Sequence, residues 1–575
     1  MKTKLTRVLC LVMTLALLLC ACGPAESNTP DTSNPPNSSE NTAEPGTSGG
    51  MAEVQELNVL LGLMVSTLDV NAYGYTNEYH VIGNCQEGLF RIQLDENGRE
   101  VVTNAGCESY EISEDGSVYT FHLGDRYWSD GVPVKAEDYV NSYLRALTAA
   151  NGFSYADKYF IVKNGERFYK GEATAEEVGI KALDDKTLEI TVETPRLDII
   201  TTLVEFSFPI RMDTVEAATT TYGSNCDEVV YNGPFMVTSW VPDNSLVLEK
   251  NPYYWDAEHV YLDKINFTYV AEATTRAIMF DAKQLDIVEY NEDYGATWNA
   301  RAETGEIQKV EQPRAIIEWL VFHTDGPSGV LSNAKVRKAI SLSIDREMLV
   351  DTVFGRYEAA YDIVPPVVTV DGKTFNTSGE GPVKEQLKEY DTPEKLQALL
   401  KEGLDELGYE YNDLSDVTVS WLELVNSTQQ QVFVEFIKQN IENTLGITVN
   451  LIALMDWSAY AGEEFDLNTV GWNANNSPDA FLYMLNPESG INESCMGNYY
   501  TDELVDLLRQ AQGELDVDTY IRMYQEIEDG ILEDAGVAPL FFNDYVIYEQ
   551  NYVKDVQITN FGVYFDYTHA YIAAH

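Results

Sequence analysis

Hydrophobic and polar positions alternate with period two through residues Asn232–Asp256, NGPFMVTSWVPDNSLVLEKNPYYWD. Phe235, Val237 and Ser239 fall on one face, Met236, Thr238 and Trp240 on the other, and Val241-Pro242-Asp243-Asn244 supplies a turn before Leu246–Leu248. The pattern predicts a two-strand hairpin. Gly233-Pro234 breaks the chain ahead of it, and Asn251-Pro252 ends it because proline offers the ladder no donor. Tyr253, Tyr254 and Trp255 follow as rings expected to be drawn out of water.

Elsewhere the period switches between two and 3.6. Leu57–Leu63 reads as a short apolar strand, and from Glu87 to Leu123 strand, turn and strand recur at about ten-residue spacing, with turns at Asp95–Gly98 and Ser113–Gly116. This predicts an antiparallel α+β region. Phe267–Val270 and Asp286–Glu289 read as strands around a helix over Ala273–Ala282, and the apolar run Trp319–Thr324 as a buried strand. Val336, Ile340, Ile344 and Met348 share one face of a predicted helix, opposite Arg337, Lys338, Asp345 and Glu347. Val417–Trp421, a stripe of Phe433, Ile437 and Ile441 ending at Gly446, and Ile447–Leu451 predict a β-α-β unit with a parallel pair. Asp502–Arg509 and Asp518–Leu532 are amphipathic helices.

At 575 residues the chain exceeds one hydrophobic core. Residues 1–21 carry Lys2, Lys4 and Arg7 before the apolar run Val8–Leu19, a secretory leader that is too short to span a bilayer comfortably. Gly23–Gly50 has no aliphatic side chain larger than alanine and is rich in Pro, Ser, Thr, Asn and Glu, so it cannot bury enough surface to fold. Its 28 residues form a tether. As a coil it spans roughly 30 Å, and stretched about 95 Å.

Removing the leader takes three cations and no acids, so 37 Lys and Arg become 34 against 93 Asp and Glu, a formal charge of −59. Nucleic acid and anionic lipid are poor partners for such a surface. The mature cysteines Cys85, Cys107, Cys226 and Cys495 are too far apart for a CxxC motif, and pairing of Cys85 with Cys107 is left open. No GxSxG or HExxH occurs, and Gly372-Lys373-Thr374 has Val367 where a P-loop needs its first glycine. Neither a cofactor nor a resident metal is expected.

Several stretches resemble one family. Trp128-Ser129-Asp130-Gly131-Val132-Pro133-Val134-Lys135-Ala136-Glu137-Asp138-Tyr139 closely resembles the W-S-D-G-x-P-V-x-A-x-D-F segment of the family 5 extracellular solute-binding proteins of ABC importers. Ser66-Thr67-Leu68-Asp69 is similar to their T-L-D-P, with Val70 in place of the proline, and Val336–Ile340 with Ser343–Arg346 to their V-R-x-A-I-x-x-A-I-D-R. The hairpin's Gly233-Pro234-Phe235, Trp240 and Asn251–Asp256 resemble a further signature of that family, and Leu19-Cys20-Ala21-Cys22 matches the lipobox of bacterial lipoproteins, in which Cys22 is the lipidated residue.

The resemblance implies an α/β two-lobe flytrap fold of the periplasmic-binding-protein type, with an extra α+β subdomain on the first lobe. It places a signal peptide at 1–21, the lipidated cysteine and tether at 22–54, lobe I at 55–85, 205–320 and 541–575, the subdomain at 86–204 and lobe II at 321–540. The crossings are expected at Leu320–Thr324 and Leu540–Asn543. By the same resemblance the protein is a monomer at the outer face of a bacterial membrane that captures oligopeptides for an ABC permease and catalyses nothing. Oligosaccharide or metal-chelate capture, peptide sensing without a transporter, and secreted hydrolysis are the other readings.

Gly471-Trp472-Asn473-Ala474-Asn475-Asn476-Ser477-Pro478-Asp479 resembles the family's G-W-x-x-D-x-x-x-P ligand segment, whose aspartate holds a peptide α-ammonium. Asn475 stands at that position. An amide cannot neutralise a buried ammonium, so either Asp466 or Asp479 substitutes or the ligand has no free amine. Trp472 and Trp457 are the rings expected in the cleft.

Overall fold

A computed structural model describes residues 50–575, except 62–64, 75, 97, 377–380 and 456–463. The lipobox Cys22, tether residues 23–49 and Trp457 lie outside the described residues, whereas residues 50–54, expected in the tether, are held to the C-terminal segment: the Ala52 N–H donates to the Ile572 carbonyl and the Ala574 N–H to the Gly50 carbonyl. One sheet runs through both lobes, and ten of its strands follow a single path. They are β1 (Glu56–Leu61), β2 (Phe235–Val241), β3 (Ser245–Lys250), β4 (Lys264–Tyr269), β5 (Ile287–Glu289), β6 (Ile307–Phe322), β7 (Thr418–Leu424), β8 (Thr448–Leu454), β9 (Leu467–Asn473) and β10 (Val537–Gln550). Their spatial order is β8-β7-β9-β6-β10-β5-β1-β4-β3-β2.

The alternation that predicts the hairpin also fixes its register. β2 and β3 pair antiparallel, with Phe235, Val237, Leu246 and Leu248 all at or below 4 % exposure against the core beside β1. The β-α-β unit forms as expected: β7 and β8 pair parallel from Thr418–Thr448 to Leu424–Leu454, and the helix Thr428–Leu445 connects them. Gly446 closes that helix at φ 77°, a left-handed conformation that a side chain would strain.

β6 and β10 are the long strands that both lobes share. Ile307–Pro313 pair with Asp544–Gln550, while Ile317–Val321 pair with Val537–Phe542, with a register shift between Pro313 and Ile317. Proline there has no N–H to donate, so the ladder breaks at that point. Beyond the shift, Ile316–Phe322 pair with β9. Leu320–Phe322, within the stretch where the first crossing is expected, pair with β9 on one side, and Leu320 and Val321 pair with β10 on the other. Lys309, Glu311, Arg314 and Glu318 interrupt the apolar pattern of β6, and the sequence consequently shows only the last part of a 16-residue strand.

Two local expectations need correction. Val336–Met348 is not one helix: it stops at Leu342 and restarts at Arg346, with Asp345 capping the Met348 N–H. That break turns Met348 out to 54 % exposure, while Arg337 sits at 3 %, donating to the carbonyls of Leu331, Ser332, Asp534 and Ala535. The ring cluster is only partly buried. Tyr254 is 5 % exposed, whereas Tyr253 and Trp255 are about half exposed. The described cysteines are all free thiols.

Residues 107–191 add a separate antiparallel sheet, ordered Cys107–Ile112, Val118–Leu123, Thr187–Thr191, Ile180–Asp184, with the helix Ala136–Ala146 against it. Asp138 accepts from the Lys135 backbone and the Trp128 indole, which fixes the W-S-D-G loop to the start of that helix.

The helix Val517–Glu533 positions part of the ligand segment and is itself held by Glu528, 3 % exposed, whose Oε1 accepts from the Ile363 and Val364 N–H groups, each at 2.7 Å. Burial, reinforced by the charge of Asp362, raises its carboxyl from 4.5 to about 8. Between those values the folded chain binds more protons at this site than the unfolded chain, so stability falls as pH rises. In Glu528→Gln the amide oxygen still accepts both bonds but the proton linkage is gone. Denaturant unfolding between pH 5 and 8 should therefore show a shallower loss of stability in the variant, and parallel profiles would reject this assignment.

Candidate ligand cleft

The ligand segment begins inside β9 and leaves the sheet after Asn473. Gly471, Trp472 and Asn473 pair with Glu318, Ile317 and Ile316 of β6. On the other side, among the described residues, β7 meets β9 in register only at Trp421 and Leu467. β7 ends at Leu424, so among the described residues Val470–Asn473 have a strand, β6, on one side only. This edge lies next to the register shift of β6. There the guanidinium of Arg314 lies 3.9 Å from the Tyr545 ring centroid and 5.4 Å from that of Tyr564.

The structure places the predicted site residues very differently from one another. Trp472 is half-buried, donates its indole N–H to the Ala480 carbonyl at 2.9 Å and packs at 6.3 Å from the Tyr483 ring. Asn475 lies two residues past β9, and its Oδ1 is sealed from solvent without a donor. Its neighbours are committed: Asn476 exchanges bonds with the Thr369 N–H and hydroxyl, and Asn473 donates to the Tyr564 hydroxyl at 2.6 Å.

Neither acid proposed to replace the missing aspartate is free. Asp466, 1 % exposed, accepts from the backbone and hydroxyl of both Ser328 and Ser420, tying the start of β9 to β7. Asp479, 6 % exposed, takes Arg196 on Oδ2 at 2.7 Å and both Tyr524 and Gln512 on Oδ1. Arg196 also pairs with Asp198 at 2.5 Å. These contacts make Asp479 a bridge between the segment before the helix Ile199–Glu205 and the second lobe. Asp466 and Asp479 share the segment's neighbourhood, but their oxygens serve the protein.

Sequence reasoning misses two acids that the sheet brings to this edge. Glu423, at the end of β7, accepts from the Thr469 N–H and hydroxyl, the Leu424 N–H and the Trp421 indole. Glu318 faces Gly471 across the β6–β9 pair. Burial raises Glu423 to about 7, and burial followed by the charge of Glu423 raises Glu318 to about 8. The only signal in sequence was a charge inside an apolar strand pattern. Among the described residues no group of three His, Cys, Asp or Glu side chains could hold a metal ion.

The sequence profile of the bacterial extracellular solute-binding proteins, family 5 (middle region), matches residues 102–493. The chain is 26 % identical over 493 residues to the dipeptide-binding protein DppE of Bacillus subtilis, covering 84 % of this chain and 86 % of the relative. It is 29 % identical over 490 residues to the oligopeptide-binding protein OppA of the same organism, covering 83 % and 84 %. The substrate-binding domain of an oligopeptide ABC transporter from Bacillus anthracis superposes with a TM-score of 0.69 at 27 % identity, over 91 % of this chain and 99 % of the other. With the two-lobe sheet and the open β9 edge already in place, these matches identify the chain as a member of the bacterial extracellular solute-binding proteins, family 5.

Proposed function

We propose that this protein captures oligopeptides outside the cell and delivers them to an ABC import permease, anchored to the membrane through lipid on Cys22. The observation that carries this reading is the edge of β9 at Val470–Asn473, unpaired among the described residues, where an extended peptide adds as a strand through its backbone and leaves side chains to pockets. Relatives that bind dipeptides and oligopeptides support the ligand class. No step of the proposed cycle makes or breaks a covalent bond: the protein binds, closes and releases.

Closure turns on the two crossings, one at Pro313–Ile317 and the other opposite it near Phe542–Asp544. Peptides of mixed length, titrated by calorimetry into protein stripped of co-purified ligand, should bind, and small-angle scattering should show the radius of gyration shrinking on saturation. If peptides are ignored while a glycan or metal chelate binds and compacts the protein, the ligand class is wrong. A radius that stays constant, starting from an unliganded state shown to be open, rejects the flytrap.

Anchoring should depend on Cys22 alone, because Ala21 precedes it and the polar tether follows. Cys22→Ala is expected to be released from cells as soluble protein, whereas Cys20→Ala stays with the membrane fraction. The reverse partition would assign the lipid to Cys20.

A further inference from the structure

Glu318 lies beside the ligand segment and, among the described residues, its carboxylate has no protein partner. Its Oε2 stands 2.5 Å from where a Cβ on Gly471 would lie, so the glycine of the segment is what makes room for it. Among the described residues its carboxylate has no hydrogen-bond donor and no cation beside it, and the charged group acting on it is Glu423, of the same sign. Glu423 is already surrounded by its four donors. Independently, Asn475 Oδ1 is sealed from solvent without a donor two residues past the strand that pairs with Glu318. Glu318 and Asn475 are thus two acceptors near the Gly471–Asp479 segment that have no donor among the described residues.

We propose that Glu318, and not an acid within the Gly471–Asp479 segment, receives the positively charged group of the bound ligand, an ammonium or a guanidinium. The inference rests on the peptide reading above. A cation at this point brings the donors that Glu318 lacks and offsets the repulsion from Glu423. The desolvation that raises its carboxyl to about 8 agrees with a site built for a charge that arrives with the ligand. Asp466 and Asp479 cannot take this role without abandoning Ser328 and Ser420 in one case, and Arg196, Gln512 and Tyr524 in the other.

Two sources of such a cation exist in a peptide, the amino terminus and a lysine or arginine side chain, and the test separates them. One C-terminally amidated peptide with uncharged side chains is prepared with a free and an acetylated amino terminus, and each form is made again with a single lysine. All four are titrated into the native protein, Glu318→Gln and Asn475→Asp, with thermal unfolding confirming that each variant is folded. Glu318→Gln should weaken the peptides that present the cation by at least about tenfold, since one partner of a desolvated charge pair is lost. It should leave the acetylated, lysine-free peptide unchanged. Loss confined to free amino termini identifies the terminus, and loss confined to lysine peptides identifies the side chain. The assignment is overturned if Glu318→Gln binds all four as the native protein does, or weakens all four equally. It is also overturned if Asn475→Asp alone tightens the free-amine peptides while Glu318→Gln changes nothing. In each of these cases the native protein still binds peptide. Native protein that binds none of the four overturns the peptide reading, and the role of Glu318 with it.

Discussion

The backbone ladder between β6 and β10 is the constraint on which the rest of the structure depends. Two strands, of 16 and 14 residues, are shared between lobes, so each half of the sheet inherits its register from the same pair. A one-residue slip in either would carry that strand's side chains to the opposite face of the sheet. The structure admits a change of register at one stretch, Pro313–Ile317, where proline has already removed a donor, with a smaller irregularity between Glu318 and Trp319. The register shift and the strand that pairs with Gly471–Asn473 therefore adjoin one another on β6. Arg314 lies within the shift and Glu318 at its far edge, on the strand that holds both lobes together.

Charge explains how the cleft comes to be acidic. With 93 acids against 37 lysines and arginines, buried cations are scarce, and those present are used within the fold. Arg91 lies between Glu87 and Asp566, Arg196 between Asp198 and Asp479, and Arg337 and Arg346 serve backbone carbonyls. Burial without a carboxylate partner lowers Arg346 to about 10. Among the described residues Glu318 has no cation beside it, and Glu423 is held by hydrogen-bond donors rather than by a cation.

Much of this fold is legible before any coordinates. The hairpin β2–β3 and the β-α-β unit follow from period-two alternation and apolar stripes at helical spacing. What escapes is nonlocal. The break between Leu342 and Arg346 follows from Asp345 capping a new turn, which a helical stripe read on its own does not reveal. The start of β6 is masked by charges that belong to the cleft and to the outer surface. The site is legible only as a segment: Gly471–Asp479 marks where to look, but which acids face the ligand depends on partners far away in sequence. Asp479 is taken by Arg196, 283 residues earlier, and Asp466 by Ser328, 138 residues earlier. Glu318 becomes notable only once it lies opposite Gly471.

The contacts that join the lobes set how much the ligand must contribute. Arg196 reaches Asp479 from the first part of the chain, and Asn473 of the ligand segment reaches Tyr564, which packs beside the core around β1 to β4. The arginine side chain retains 29 % exposure, which weakens its pair through solvent screening, and a single hydrogen bond contributes roughly 1 kcal/mol net. Contacts of that size bias a hinge without locking it. A ligand shifts such an equilibrium only by its differential affinity for the two arrangements.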